Sequence, residues 1–322
     1  MIKRYLLIFM LLFFSCNLKN NNYLLRKGTG KLHEIIFVVD SNLWDSETGM
    51  IIKNNFFTDI EGLPQKEKLF KLIQINHKDF SSIYKTHKNI ILVSLDDRVS
   101  SFYKDKWSIN QLYFELFQKN ISDLNNYLKS NLKKIKLKII EENFRRNFEK
   151  ISTNSNKKIE KKISSNYKIK MAVPDGYKIA EEKEDFFWIR KDYPKENIIS
   201  NIYFNTINFK NINQLSKHNL IFLRDSIGAI HIKGNNENSH MTTETLYDPI
   251  YSKFNNNPFD IKIIGLWTMK NGFMGGPFSS RALLSFDSKK LIYVEGFLYS
   301  PNKSKREYLF DLNTVIKNIQ VN

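Results

Sequence analysis

Cysteine is almost absent from this sequence: Cys16 is the one thiol in 322 residues. An internal disulfide and a thiolate zinc cluster both need a second sulfur on the same chain, so both are excluded. Long apolar stretches are scarce as well, because the apolar run at residues 6–14 has about half of the ~20 residues that a membrane-spanning helix needs. That run can enter a translocon, but it is too short to serve as a comfortable transmembrane anchor.

The short motifs of common enzyme classes are also missing. There is no G-x-S-x-G sequence for a serine nucleophile, and the glycines at 272, 275 and 276 do not have the spacing of a nucleotide-binding loop. The histidines form no i, i+4 pair and no H-E-x-x-H motif; they stand at positions 33, 77, 87, 218, 231 and 240. The sequence therefore predicts neither a bound metal nor a cofactor.

Positive charge is in excess, with 50 basic against 33 acidic residues, a formal charge of +17 and a pI near 9.6. Such a balance is compatible with nucleic-acid binding. Here, however, lysine, asparagine and isoleucine are abundant along the whole chain, which indicates a compositional bias and a diffuse, solvated positive surface. We expect no nucleic-acid partner, and we expect a surface that favours anionic groups, including lipid headgroups.

The first sixteen residues have the layout of a secretory signal. Lys3 and Arg4 precede the apolar run, and Ser15 and Cys16 follow it. A cysteine at this point resembles the lipobox of bacterial lipoproteins, although Phe13 stands where that motif usually has leucine. The resemblance implies a signal peptide over residues 1–15 and a diacylglycerol on the sulfur of Cys16. A plain secretory signal and an uncleaved anchor are the alternatives.

The segment after Cys16 is suited to be a tether. Residues 16–30 are polar, contain glycine and show little periodicity. Two or three acyl chains hold a protein durably on a bilayer, so the predicted location is the cell envelope, with a membrane as partner. No cluster of acidic residues follows the cysteine, which favours the periplasmic side of the outer membrane over the cell surface.

Residues 31–155 predict an N-terminal α/β domain. Apolar runs ending at Asp40, near residue 76, near residue 97 and at residue 117 predict strands, and a helix is expected from Ser41 or Asn42. Asp40 and, one turn later, Trp44 are candidate ligand contacts, because they follow the carboxyl end of a strand. A long helix closes the domain, with an apolar stripe and a basic face on which Arg145 and Arg146 are expected to be solvated. Contact of that face with anionic lipid is the alternative.

Residues 156–322 predict an α+β sandwich domain. Alternating patterns indicate two antiparallel meanders, separated by a helix over 212–227 that ends at Gly228 and followed by a last helix over 303–319. The second half resembles a Mog1/PsbP-type sandwich, an analogy that implies no function. The predicted fold class for the chain is α+β, with two α/β sandwich-like domains and mainly antiparallel sheets.

Two segments of the second half hold further candidate ligand-binding residues. Arg224 and Asp225 lie near the end of a predicted helix, where a local ion pair suffices to explain them. The loop 270–281, "KNGFMGGPFSSR", contains Gly275 and Gly276 between two predicted strands. It is more typical of a wide hairpin turn with positive φ than of a ligand-contacting loop.

Five stretches, in order along the chain, resemble a family of Bacteroidota envelope lipoproteins of unknown function: "GLPQKEKLF", "FFWIRKDYPK", "FLRDSIG", "GLWTMKNGFMGGPF" and "EGFLYSPNKSKREYLFDL". In that family the lipid-bearing cysteine corresponds to Cys16. The resemblance implies no established activity or cofactor. We therefore expect a non-enzymatic, lipid-anchored module that binds an envelope protein, an anionic lipid or a glycan. The alternative is an envelope hydrolase with a site built from dispersed Asp, Arg and His residues.

Overall fold

The computed structural model describes residues 25–321. Cys16, the signal segment and the first part of the tether lie outside the described residues. Within residues 25–321, none of the helices is long and apolar enough to cross a bilayer.

The first half is built on a five-stranded sheet in the order β2-β1-β3-β5-β4. The strands are β1 (Glu34–Val38), β2 (Lys71–Ile75), β3 (Asn89–Leu95), β4 (Ser101–Lys104) and β5 (Leu112–Gln118). Three of its four pairings are parallel, and only β4 pairs antiparallel with β5. Parallel pairing suits β1 and β3, because their near-continuous runs of Ile, Leu, Val and Phe are buried.

Three short helices and one long helix accompany this sheet: α1 (Ser41–Trp44), α2 (Glu47–Phe56), α3 (Ser82–Lys85) and α4 (Ile121–Thr153). The prediction of one helix from Ser41 or Asn42 is wrong in detail, because the chain breaks after Trp44 and Ser46 caps α2. The long helix that was expected to close this domain is α4, and its cap is Asn120, whose side chain accepts a hydrogen bond from the backbone of Asp123. Its apolar stripe and α2 cover one face of the sheet.

The second half is built on an eight-stranded antiparallel sheet in the order β10-β12-β13-β14-β9-β8-β7, with β11 also paired to β12. Its strands are β7 (Lys178–Glu182), β8 (Phe186–Tyr193), β9 (Ile198–Asn208), β10 (His240–Thr243), β11 (Ile250–Lys253), β12 (Asp260–Lys270), β13 (Gly275–Leu284) and β14 (Lys290–Tyr299). A two-stranded sheet joins β6 (Ile169–Lys170) to β15 (Gln320–Val321). Taken over the whole chain, the α+β class with mainly antiparallel pairing is confirmed; the first sheet is the part in which parallel pairs dominate.

Helices cover both faces of the large sheet. Helix α6 (Lys217–His231) packs on one face, while α5 (Lys157–Tyr167) and α7 (Arg306–Lys317) pack on the other. The prediction that Gly228 ends the middle helix is wrong. A Cβ atom at Gly228 would lie 2.2 Å from the carbonyl oxygen of Met241, so this glycine lets α6 continue while β10 passes close to it.

The two halves are joined by side chains that cross between them. Glu67 accepts hydrogen bonds from the backbone N–H groups of Lys305 (2.8 Å) and Arg306 (3.1 Å) at the start of α7. It also accepts one from the hydroxyl of Ser304. Because α7 has no side-chain cap of its own, a residue of the first half supplies it.

Candidate functional site

The structure does not gather the predicted site residues into one place. Asp40 lies at the carboxyl end of β1, where its carboxylate accepts a hydrogen bond of 3.0 Å from the backbone of His77, and this bond lowers the pKa of Asp40. Trp44, one turn later, has the ammonium group of Lys53 4.6 Å from its ring centroid. Both side chains are thus accounted for by contacts within the first half.

Arg224 and Asp225 belong to the second half and have a different role. Arg224 is fully buried and bound to Glu295, which is also fully buried. Asp225 accepts hydrogen bonds of 2.7 Å from both the backbone N–H and the hydroxyl of Thr243, which fasten α6 to β10. Burial raises the pKa of Glu295, against the opposing effect of Arg224. This is the pattern of a closed packing network.

Gly275 and Gly276 open β13 after a hairpin turn, as expected. The turn has the expected positive φ, which falls on Asn271 (54°) and not on either glycine. Gly276 is required for a close approach: a Cβ atom there would lie 2.0 Å from the carbonyl oxygen of Leu298.

An aromatic cavity of about 430 Å³ lies on the α6 face of the large sheet, beyond the end of that helix. Its floor consists of rings carried by three strands: Trp188 on β8, Trp267 on β12, and Phe297 and Tyr299 on β14. The ring centroid of Phe297 lies 5.5 Å from that of Trp267 and 6.5 Å from that of Trp188. We call this site the aromatic cavity.

Two loops form the walls of the aromatic cavity. One is the segment 232–239 after α6, and the other is the hairpin tip that holds Phe273 and Met274. The side chain of Asn236 donates a hydrogen bond of 2.9 Å to the backbone oxygen of Asn271, which ties the loops together. Phe273 itself is fully exposed at the rim.

Few polar groups reach the aromatic cavity. Asn201 is buried and accepts a hydrogen bond of 3.1 Å from the indole of Trp188, which leaves its amide nitrogen available as a donor. The charged groups are Arg190, already paired with Asp192, and Lys233. No carboxylate and no imidazole is among the described residues that line it. The cavity therefore lacks the groups that usually serve as a general base.

A second cavity, of about 740 Å³, lies between the halves of the chain and is called here the junction cavity. Residues 63–67 of the first half line it, together with residues 300–306 and the start of β13, including Gly275 and Gly276. Ser300 is buried there, and its hydroxyl has no hydrogen-bond partner among the described residues. Trp267 lines both cavities, and its indole N–H donates to the backbone oxygen of Leu298 at 3.2 Å.

The two cavities bring together sequence stretches that are far apart in the chain. "FFWIRKDY", "GLWTMKNGFMGGPF" and "EGFLY" contribute to the aromatic cavity, and "GLPQKE" and "SPNKSKR" contribute to the junction cavity. Sequence reasoning singled out these stretches for their resemblance to a family, but it did not predict that they meet. Over residues 25–321, no cluster of three or more His, Cys, Asp or Glu side chains is suited to hold a metal ion.

Comparison with protein families matches two segments of the chain. Residues 156–318, half of the chain, match a domain of unknown function, DUF4837, and residues 28–152 match a second domain of unknown function, DUF8532. The chain belongs to the DUF4837 family. No curated protein matches this DUF4837 member.

Solved structures with similarity to this DUF4837 protein superimpose only loosely. The Ran-binding protein Mog1p of Saccharomyces cerevisiae is 8% identical, covers 48% of this chain and 90% of its own, and has a TM-score of 0.32. Human StAR-related lipid transfer protein 5 is 9% identical, with coverages of 54% and 94% and a TM-score of 0.26. Mog1 has the type of sandwich fold that the sequence analysis predicts for the second half.

Proposed function

We propose that this chain is a non-catalytic binding module of the bacterial cell envelope, held on a membrane by lipid at Cys16, whose aromatic cavity takes the apolar part of an amphiphilic ligand. This proposal is based mainly on the four aromatic rings that line the cavity, which has no carboxylate or imidazole among its described lining residues. Its volume of about 430 Å³ falls in the range of small-molecule sites, roughly 300–1,000 Å³. The hydrolase alternative gains no support, since Asp40, Arg224 and Asp225 are not gathered in a cleft.

Aromatic side chains are suited to this role. They offer large apolar surfaces with little conformational freedom to lose on binding, and burial of apolar area drives association. The amide of Asn201 supplies one oriented polar contact at the floor. The resemblance to Bacteroidota envelope lipoproteins, together with the lipobox-like sequence at Cys16, supports placement on a membrane, with the periplasmic side of the outer membrane as the proposed location.

The ligand proposal is tested through the tryptophans themselves. The chain has four, and replacing Trp44 and Trp107 by Phe leaves Trp188 and Trp267, which both line the aromatic cavity. Titration with 1-anilinonaphthalene-8-sulfonate should quench this fluorescence in a saturable manner, and dodecanoate should displace the probe. Chitotriose, a glycan probe, should not displace it.

Matched variants make the test specific. Trp188→Ala should weaken binding of the probe at least tenfold, whereas Phe222→Ala, which removes an exposed aromatic ring of α6 outside the cavity, should leave it unchanged. Equal losses in the two variants, or no saturable binding, would refute the proposed ligand site.

The anchor is tested separately. Cys16→Ser should increase the mature size by retaining the signal segment, and it should abolish partitioning into detergent and membrane association. Asn22→Ser, which introduces the same residue into the tether, is the control and should behave as the wild type. An unchanged mature size and membrane association in Cys16→Ser would show that the protein is not a lipoprotein.

A further inference from the structure

A third cavity, of about 710 Å³, lies where residues 27–32 run against α4 and α7, and is called here the tether-root cavity. Five basic and three acidic side chains line it, an excess of two positive charges. The basic residues are Lys27, Lys31, Lys88, Arg146 and Lys150. It shares no lining residue with the aromatic cavity or the junction cavity.

Lys88 is a half-buried cation that forms no salt bridge within residues 25–321, and the charge of Glu34 only partly offsets the effect of its burial. Its ammonium group donates hydrogen bonds to the backbone oxygens of Gly28 (2.8 Å) and Gly30 (2.6 Å). Among residues 25–321, no carboxylate lies within 4.0 Å of it. Burial, together with the nearby charge of Arg146, lowers the pKa of Lys88. An anion would relieve this unfavourable placement.

Arg146 is a second cation of the cavity lining, and it contradicts the expectation of a solvated basic face, since only 5% of it is exposed. One terminal nitrogen, Nη1, donates to the side-chain oxygens of Asn89 (2.7 Å) and Asn143 (2.8 Å). The other terminal nitrogen, Nη2, donates to the backbone oxygen of Lys88 at 3.2 Å, and Nε forms an ion pair with Oε1 of Glu142 at 3.6 Å without a hydrogen bond among the described residues. Burial lowers the pKa of Arg146 to about 10.

The acidic residues of the cavity are already engaged. Glu149 pairs with Arg145 at 3.1 Å, and Glu307 pairs with His33 at 3.1 Å. Asp311 accepts a hydrogen bond of 2.9 Å from Asn147, and burial raises the pKa of its carboxyl group. The exposed ammonium groups of Lys27, Lys31 and Lys150, in contrast, make no ion pair or hydrogen bond within residues 25–321. The lining of the cavity therefore carries an excess of positive charge, and three of its ammonium groups are free to meet a ligand.

We propose that the tether-root cavity binds a phosphate group, with Lys88 and Arg146 at its base and Lys27, Lys31 and Lys150 around it. Phosphate carries several acceptor oxygens and up to two charges, so it can engage the lysine ammonium groups together, while Arg146 contributes its charge from behind them. The source is either a lipid headgroup or a soluble phosphate. The lipid-headgroup source rests on the proposed function, because it assumes the lipid anchor at Cys16. With that anchor, the membrane surface is within reach of the cavity, since the nine residues from Cys16 to Leu25 span at most ~30 Å.

The test uses the full chain, purified in detergent, and calorimetric titration with inorganic phosphate. We expect saturable binding that weakens at least tenfold in the triple variant Lys27→Gln/Lys31→Gln/Lys150→Gln. The control triple, Lys178→Gln/Lys195→Gln/Lys253→Gln, removes the same charge from exposed positions outside the tether-root cavity and should bind within twofold of the wild type. Absence of saturable binding, or equal weakening in both triples, would overturn the proposal.

A vesicle experiment distinguishes the two sources. If the headgroup is the ligand, cosedimentation with phosphatidylglycerol vesicles falls in the cavity triple but not in the control triple, and inorganic phosphate competes. If soluble phosphate is the ligand, the cavity triple loses phosphate binding while vesicle binding matches the control. Binding of the naphthalene probe by the aromatic cavity is expected to be unchanged in both triples, so failure of one proposal is separable from failure of the other.

Discussion

The guanidinium group of Arg224 binds the carboxylate of Glu295 through two parallel hydrogen bonds, from Nε to Oε2 and from Nη2 to Oε1, each of 3.0 Å. Both residues are fully buried, and the hydroxyl of Tyr293 donates to the same carboxylate at 2.8 Å. Arg224 also lies 4.0 Å from the ring centroid of Phe278. The pair joins α6 to a central strand of the large sheet, and it fixes the helix that ends at the wall of the aromatic cavity.

Removing one member of this pair should be strongly destabilising. Glu295→Leu leaves the charge of Arg224 buried without a partner, and we expect the free energy of unfolding to fall by about 3–5 kcal/mol. Arg224→Met/Glu295→Leu should lose less than the sum of the single variants. Urea denaturation measures both, with Glu196→Leu, an exposed glutamate, as control. A change below about 1 kcal/mol in Glu295→Leu would contradict this account.

Glu67 should stabilise α7 from across the junction. Glu67→Ala removes the cap, and we expect a loss of about 1–2 kcal/mol in the free energy of unfolding. Lys66→Ala, the neighbouring exposed residue, should change it little. Hydrogen exchange gives the sharper measurement: the amides of Lys305 and Arg306 should exchange faster in Glu67→Ala than in Lys66→Ala. Unchanged exchange there would mean that the cap contributes nothing to the helix.

The pair formed by His33 and Glu307 predicts an acid dependence. A hydrogen bond from His33 contributes most to lowering the pKa of Glu307 from 4.5 to about 2. A carboxyl group whose pKa is lowered by folding contributes its full stabilisation above the pKa of the unfolded chain. This stabilisation is lost as the pH falls through the pKa of the folded protein. Glu307→Gln should therefore be less stable than the wild type above pH 4.5, and the difference should vanish near pH 2. A difference that is constant across this window would disprove the assignment.

Replacing Gly228 by alanine should change the stability in the direction opposite to that expected from helix propensity. Alanine is favoured over glycine inside a helix by about 1 kcal/mol. Gly228→Ala should nevertheless destabilise the protein, because its Cβ atom would meet the backbone of β10. Ile230→Ala, at an exposed position of α6, is the control for propensity alone. A more stable Gly228→Ala protein in thermal unfolding would show that the strand yields to the methyl group.

The local sequence pattern predicts the positions of helices and strands better than it predicts which strands pair with each other. Buried apolar runs predict β1 and β3, and the apolar stripe predicts α4, because these signals are local in the sequence. The parallel order of the first sheet depends on contacts between segments tens of residues apart. The short strands β4 and β11 have four residues each and expose apolar and polar side chains alike, so they carry little periodic signal and neither is predicted.

The candidate site was harder to predict than the fold. Trp188 and Tyr299 are more than a hundred residues apart, and only the antiparallel register of the large sheet brings them to one floor. Arg146 follows Arg145 in sequence with the same charge, yet the 100° turn between consecutive helical residues places one in solvent and the other in the interior. Charge patterning alone does not distinguish them.

Trp267 has a consequence for ligand binding at either cavity. Its ring is a common partition, held by one hydrogen bond to Leu298 and by the edge-to-face contact with Phe297. If an occupant of one cavity displaced this ring, it would narrow the space on the other side, and the two cavities would then be thermodynamically linked. In that case, the factor by which a ligand in the aromatic cavity changes the affinity of the junction cavity for its occupant equals the factor by which that occupant changes the affinity of the aromatic cavity for its ligand.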